Sequence, residues 1–350
     1  MMQRRTLIKS AAAAASLGAP TLGVFAQQVV TLKFHTFMAP TSNVYLNAHK
    51  AWMSKVENDS GGRIRFEGFP AMQLGGSPSQ LFDQARDGVV DIVWTLAGLT
   101  PGRFPRTEVF ELPFMTMDGI GASRAAWEYL ETHASDEFKD VQPLAFHTHG
   151  PGVLHSKSKA INSASDLRGL KMRGPTRQAT KLLAAAGASA VGMPLPQIPD
   201  ALSKGVIDGA ALPWEVIPSV KVHELVQHHS EFAPGKPALY NTAFVMVMNK
   251  RKYTSLPPDI KKVIDDNSGL ETSAWFGKVQ QDHDPISRKM ATDRGNKVHV
   301  FSESETSEFV KLTGTIASEW VQEMDKRGQD GAKLLAGAKA LIAKHKPKAA

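Results

Sequence analysis

Residues 166–214 read DLRGLKMRGPTRQATKLLAAAGASAVGMPLPQIPDALSKGVIDGAALPW, and their order decides the fold. A polar turn leads into a short apolar strand around Leu170 and Met172 that ends in Arg173-Gly174-Pro175. An Ala/Leu-rich helix is expected from about Thr176 to Ala186, then a second strand ending in Met193-Pro194. A helix near residues 198–204 and a third strand over 207–212, closed by Pro213-Trp214, complete the run. Strand, helix, strand, helix, strand is the pattern of an open α/β sheet, and such sheets bind ligands at the carboxyl ends of their strands. Arg173, Met193 and Trp214 fall at those ends. A guanidinium fork matches the two oxygens of a carboxylate, which makes Arg173 the leading candidate for gripping an acid. An arginine after a strand is equally an ordinary surface cation, and spacing alone leaves both readings open.

The same alternation precedes this stretch. Residues 29–37 (VVTLKFHTF) alternate apolar and polar as a strand, and a helix carrying Tyr45, Ala48, Trp52 and Val56 follows and ends at Asp59-Ser60-Gly61-Gly62. Strands are expected at 63–69, at 89–96 and at 141–149, with a Pro- and Phe-rich loop over 104–115 and a helix over about 123–131. Beyond the opening stretch, a helix around 221–228 and a loop to Pro237 finish the second lobe. The apolar run 241–249 (NTAFVMVMN) returns to the first. Helical pattern then runs from Pro257-Pro258-Asp259 past Trp275 to Arg294 with a kink at Pro285, and residues 297–301 form a short strand. Amphipathic helices over 304–327 and 332–343 end the chain. The reading is a two-lobe α/β clamshell: lobe I over 27–150, completed by about 242–280; lobe II over 151–241; and C-terminal helices over 281–350 packing on both.

Length and composition agree. A chain of 350 residues, 42% hydrophobic and 21% charged, can bury two cores of ordinary size. Residues 1–26 read as an export leader: Arg4-Arg5-Thr6-Leu7-Ile8-Lys9 is basic, 10–21 are small or apolar, and Val24-Phe25-Ala26 offers a cleavage site. The paired arginines suggest the twin-arginine route, with general secretion as the alternative. Removing the three leader cations takes the formal charge from +7 to +4. That excess is scattered, with no stripe for nucleic acid. No later run reaches the roughly 18 apolar residues that span a bilayer, so the mature chain is expected in the periplasm. The chain has no cysteine, which removes disulfides, thiolate metal sites and thiol catalysis together.

Enzyme signatures are missing: there is no phosphate-binding glycine loop, no Gly-x-Ser-x-Gly elbow and no kinase set. His223 and His228 lie five apart, roughly 140° around a helix, and are read as a solvated face rather than a zinc pair. His147 and His149 lie two apart on a strand, on one face. They suit ligand hydrogen bonding, packing or, with His35 and His155, a metal, though supporting carboxylates are not nearby in sequence. Trp94 and Trp214 are aromatic candidates for a pocket wall or for the core.

Taken together, the residues resemble the solute-binding proteins of tripartite ATP-independent periplasmic (TRAP) transporters, of the dicarboxylate-binding DctP type. The likeness is carried by the opening Leu-Lys-Phe strand, Gln73-Leu74-Gly75, residues 87–91 (DGVVD), residues 110–114 (FELPF), residues 166–173 (DLRGLKMR), Met193-Pro194, residues 205–209 (GVIDG) and Asn249 with residues 256–259 (LPPD). It implies two lobes joined by crossing strands and a long lobe-spanning helix, an organic acid held between them, and delivery to TRAP permease membrane subunits; no catalysis and no cofactor are expected of the chain, which is expected to be a monomer or weak dimer. The family's signature arginine falls on Arg173. Its usual pocket positions map onto Phe37, Trp94, Thr176, Leu212 and Asn241, to which the strand-end reading adds His149, Met193 and Trp214. Departures concern the ligand: Gln197 and Pro199 stand where many members have Glu and Tyr, Leu212 replaces a polar amide, and Val153 replaces a second arginine. With Phe37, Trp94, Leu96 and Trp214 available, the expected ligand is a monocarboxylate with an aromatic or branched apolar body, with a 2-oxo or 2-hydroxy acid included. The alternative is a metal- or metal–carboxylate-binding protein using His147, His149 or Glu215.

Overall fold

The computed structural model describes residues 29–346, so the expected leader lies outside the described residues. Two sheets organise the chain. The first contains β1 (Val30–Thr36), β2 (Ile64–Phe69), β3 (Ile92–Leu96) and β4 (Val141–Thr148), with β10 (Ala243–Asn249) returning to it much later. Its order is β2-β1-β3-β10-β4, with β1–β3 parallel and β10 antiparallel to both neighbours. The second holds β5 (Gly152–Ser156), β6 (Lys171–Gly174), β7 (Ser189–Gly192), β8 (Gly209–Pro213), β9 (His228–Phe232) and β11 (Lys297–Phe301), in the order β11-β9-β5-β8-β6-β7. The inner strands β3 and β10 read as near-continuous apolar runs because helices cover both faces: each is buried at every residue.

The stretch 166–214 folds as its pattern dictates. Thr176, extended and accepting from the Ala179 N–H, caps helix Arg177–Ala185, whose Ala179, Leu182 and Leu183 face the sheet. A Cβ on Gly209 would strike the His155 carbonyl and lie 2.7 Å from the Met172 sulfur, so only glycine lets β5, β6 and β8 come together there.

Three expectations are corrected. Residues 221–228 are not one helix: a single turn, Val222–Leu225, gives way to β9, which lies between β5 and β11. His223 is therefore not on a solvated face; it is buried, and its carbonyl takes the Asn296 amide at 2.9 Å. The helical run expected over 257–294 is three helices, Pro258–Asp266, Leu270–Gln281 and Asp284–Asp293, the last two separated at Asp282-His283, with Pro285 in the first turn of the third, where a missing N–H costs nothing. Helix Leu270–Gln281 packs on β4 and helix Gly119–His133, and helix Asp284–Asp293 on the Trp214–Val220 turn. Residues beyond 281 also add a strand, β11, to the second sheet.

The chain passes between the sheets after β4, after β9, through the helices on either side of Asp282-His283, and again among the C-terminal helices. There Trp320 Nε1 donates to the Pro105 carbonyl at 2.9 Å. Among the described residues no helix is long and apolar enough to cross a membrane.

Candidate ligand-binding cleft

A cavity of about 500 Å³, counting its open mouth, lies where the carboxyl ends of β1, β3, β4, β6 and β8 meet between the lobes. The amino end of antiparallel β10 reaches the same place, because its N-terminal residues pair with the last residues of β3. Side chains alternate along β6: Met172 goes under the sheet and Arg173 goes into the cleft. Arg173 is 3% exposed. Its Nε donates to the Met193 carbonyl at 2.9 Å and its Nη1 to the Ala211 carbonyl at 3.0 Å. Among the described residues no Asp or Glu pairs with it, and Nη2 has no protein acceptor. Burial pushes the guanidinium down to about 10, which still leaves it cationic at neutral pH.

Opposite stands an aromatic wall. Phe37 and Trp94 lie 5.5 Å apart between ring centres, and Trp94 stacks on Phe244 at 4.5 Å and 13°. The indole is fixed from behind, since Trp94 Nε1 donates to His147 Nε2 at 2.8 Å. Leu96, Leu99, Leu195 and Leu212 complete a lining that is mostly apolar.

Of the nine residues singled out in sequence, Arg173, Trp94, Phe37, His149 and Leu212 line this cavity. Four do not. Asn241 is buried at the crossing, where its amide donates to Thr116 Oγ1 (3.1 Å) and the His149 carbonyl (2.9 Å) and accepts from the Thr242 N–H. Thr176 caps its helix and hydrogen-bonds Glu111. Met193 contributes its carbonyl to Arg173. Trp214 turns into the second lobe against His155 and His229, donating to Glu231 at 2.7 Å.

Sequence reading missed Tyr240, Phe244 and Gln280 and named Glu215 only as an alternative metal ligand; all four line the cavity. Phe244 was within reach, since an antiparallel strand delivers its first residues to the ligand edge. Glu215 and Gln280 meet across 65 residues of chain, with Gln280 Nε2 donating to Glu215 Oε1 at 3.1 Å. Burial raises the Glu215 carboxyl to about 8, so it carries its proton at neutral pH. Among the described residues no group of three or more His, Asp or Glu side chains comes together as a metal site.

Beneath the floor runs a chain of neutral imidazoles. Asn296 Nδ2 donates to His229 Nε2 (3.0 Å), His229 Nδ1 to His155 Nδ1 (2.6 Å), and His155 Nε2 to the Leu212 carbonyl (3.1 Å). Each proton is thereby assigned, and a further proton breaks the chain. Burial lowers His147 to about 3, His149 and His155 to about 4 and His229 to about 2. In the unfolded chain these groups titrate near 6.5, so folding loses stability as pH falls below about 6.5. Glu111 and Glu215, both raised to about 8 by burial, act oppositely, losing stability as pH rises from about 4.5 toward 8. We expect ligand-free stability to peak between about pH 6 and 7. Urea midpoints from pH 5 to 8.5 check this, and a monotonic trend would contradict it.

A family profile described as DctP, bacterial extracellular solute-binding protein, family 7, matches residues 34–323. A TRAP solute-binding protein from Rhodoferax ferrireducens T118, solved with copurified benzoate, is 62% identical, superposes with a TM-score of 0.90, and is covered over 98% of its length by 91% of this chain. A marine metagenome TRAP solute-binding protein specific for aromatic acid ligands, solved with 3-hydroxybenzoate, is 47% identical at a TM-score of 0.90, with 91% and 100% coverage. The C4-dicarboxylate-binding periplasmic protein DctP of Rhodobacter capsulatus is 25% identical over 98% of this chain and 100% of its own. Two lobes, a cleft at their strand ends with a buried arginine, and a profile match across most of the chain agree: this chain belongs to the DctP family of bacterial extracellular solute-binding proteins.

Proposed function

We propose that this chain is the periplasmic receptor of a TRAP transporter, and that it captures an aromatic monocarboxylate and hands it to the membrane permease. The observation that carries the reading is Arg173: a guanidinium almost wholly removed from water, with no carboxylate of the described chain beside it. A buried charge costs several kcal/mol unless it is paired, so a ligand carboxylate is the natural counter-ion. The facing wall of Phe37, Trp94 and Phe244 suits a flat apolar body, and the bound benzoate and 3-hydroxybenzoate of the two similar proteins favour the same class.

Phe37 and Trp94 come from the first lobe, and Arg173 and Leu212 from the second. A ligand touching both holds the clamshell shut, and exclusion of water then strengthens the ion pair. Isothermal titration of refolded, ligand-free protein tests the proposal with benzoate, phenylacetate, succinate and a sugar acid, alongside mass spectrometry of whatever co-purifies. Micromolar or tighter binding confined to the aromatic acids is expected. Binding confined to C4-dicarboxylates or sugar acids would overturn it.

A further inference from the structure

Arg173 and the aromatic wall account for one end and the body of an aromatic acid; they leave the other polar atoms of the cavity unexplained. Glu215 and His149 are both at least 97% buried, both line the cavity, and each has one polar atom with no partner. His149 Nδ1 donates to the Gly150 carbonyl, so in the neutral ring Nε2 is a bare acceptor. Glu215 Oε1 takes the Gln280 amide while Oε2 is unpaired. Gln280 also lies against His147, the strand neighbour of His149, which ties these side chains to one end of the cavity.

We propose that Glu215 and His149 form a second polar pole of the cleft that reads a hydroxyl group on the ring of the bound acid. This deepens the aromatic-acid reading of the cleft and rests on it. The chemistry is specific. A hydroxyl can donate to His149 Nε2 and accept from the Glu215 carboxyl, whereas a methyl group leaves both buried atoms unpaired. A second carboxylate fits poorly. The groups facing Glu215 are the Asn43 and Gln280 amides, with Asp284 accepting from its backbone N–H at 2.9 Å, and none of these is a cation. Burial raises both carboxyls, Glu215 to about 8, and lowers His149 to about 4, so at neutral pH Glu215 and His149 are uncharged and offer a donor and an acceptor.

The test is a titration panel on refolded, ligand-free full-length protein: benzoate, 3- and 4-hydroxybenzoate, and the matching 3- and 4-methylbenzoates, which equal the hydroxy acids in size. Wild type should prefer at least one hydroxy acid over its methyl partner by about tenfold or more. Glu215→Gln, which keeps the shape and an N–H donor, should hold that ratio within about threefold; Glu215→Leu should bring it to about one. Methylbenzoates bound as tightly as hydroxybenzoates by wild type overturn the pole while leaving the aromatic-acid reading intact. So does a Glu215→Leu protein that keeps the full ratio. If Glu215→Leu does not fold, the wild-type and Glu215→Gln ratios decide by themselves. Failure of wild type to bind any of the five acids overturns the aromatic-acid reading itself, and the pole with it.

Discussion

Replacing Arg173 with methionine is expected to abolish capture of the acid while leaving a folded protein. With ligand bound, the guanidinium and the carboxylate share a site out of water, and removing one partner of such a pair costs about 3–5 kcal/mol, or two to three and a half orders of magnitude in affinity. Without ligand the balance differs. Arg173 then carries a buried charge with no counter-ion, held only by the Met193 and Ala211 carbonyls. Methionine fills similar volume and removes the charge, at the cost of leaving those two acceptors to water. The melting temperature of the empty protein should therefore change little, while the rise that benzoate gives wild type disappears in the variant. Arg173→Lys should fall between, since an ammonium keeps the charge but cannot hold both carbonyls and present a planar fork at once. Titration calorimetry and thermal melts with and without benzoate read all of this. A methionine variant that binds within about threefold of wild type would remove the salt link from the mechanism.

Arg173 could be reached from sequence because everything that places it is local. The strand, the Gly-Pro stop, the Thr176 cap and the apolar face of helix Arg177–Ala185 lie within some twenty residues, so periodicity and turn chemistry fix where that strand ends. The element that escaped, β9, has the sequence HHSEF, which has little strand character of its own. It is a strand because β5 and β11, some 70 residues away on either side in sequence, supply its hydrogen-bond partners and bury His229 and Ser230. The cleft divides the same way. Phe37, Trp94, His149 and Leu212 sit at strand ends and follow from topology. The proton on Glu215 depends on being buried beside Gln280 and Asp284, which come from a helix pair broken between them, and no window of sequence holds that information. Trp214 failed for a related reason: the residue after a strand faces the cleft or the core according to the turn that follows, and here a turn over Trp214–Val220 carries the indole down to Glu231.

Gly277→Val should be the most destabilising single substitution away from the ligand, by about 3 kcal/mol or more. Helices Gly119–His133 and Leu270–Gln281 cross at Gly119 and Gly277, where a Cβ on Gly277 would overlap the Gly119 carbonyl oxygen and the Ser123 hydroxyl. From the other side, a Cβ on Gly119 would lie 2.8 Å from the Gly277 carbonyl and 3.2 Å from His149 backbone atoms. The obstacles are mostly main-chain atoms of a second helix, so no rotamer change relieves them; the helices must part. Separation reaches the cleft directly. Ser123 Oγ accepts from the Thr148 N–H at 3.0 Å, next to His149, and Gln280, one turn beyond Gly277, holds Glu215. A valine variant that still folds should thus melt several degrees lower and also bind aromatic acids more weakly. Lys278→Ala is the comparison: it removes only an exposed pair with Asp282, worth at most about 1 kcal/mol, and should alter neither reading appreciably. If Gly277→Val melts within about a degree of Lys278→Ala, the two helices are not in contact as described, and the route by which this crossing holds Gln280 and His149 at the cleft is lost.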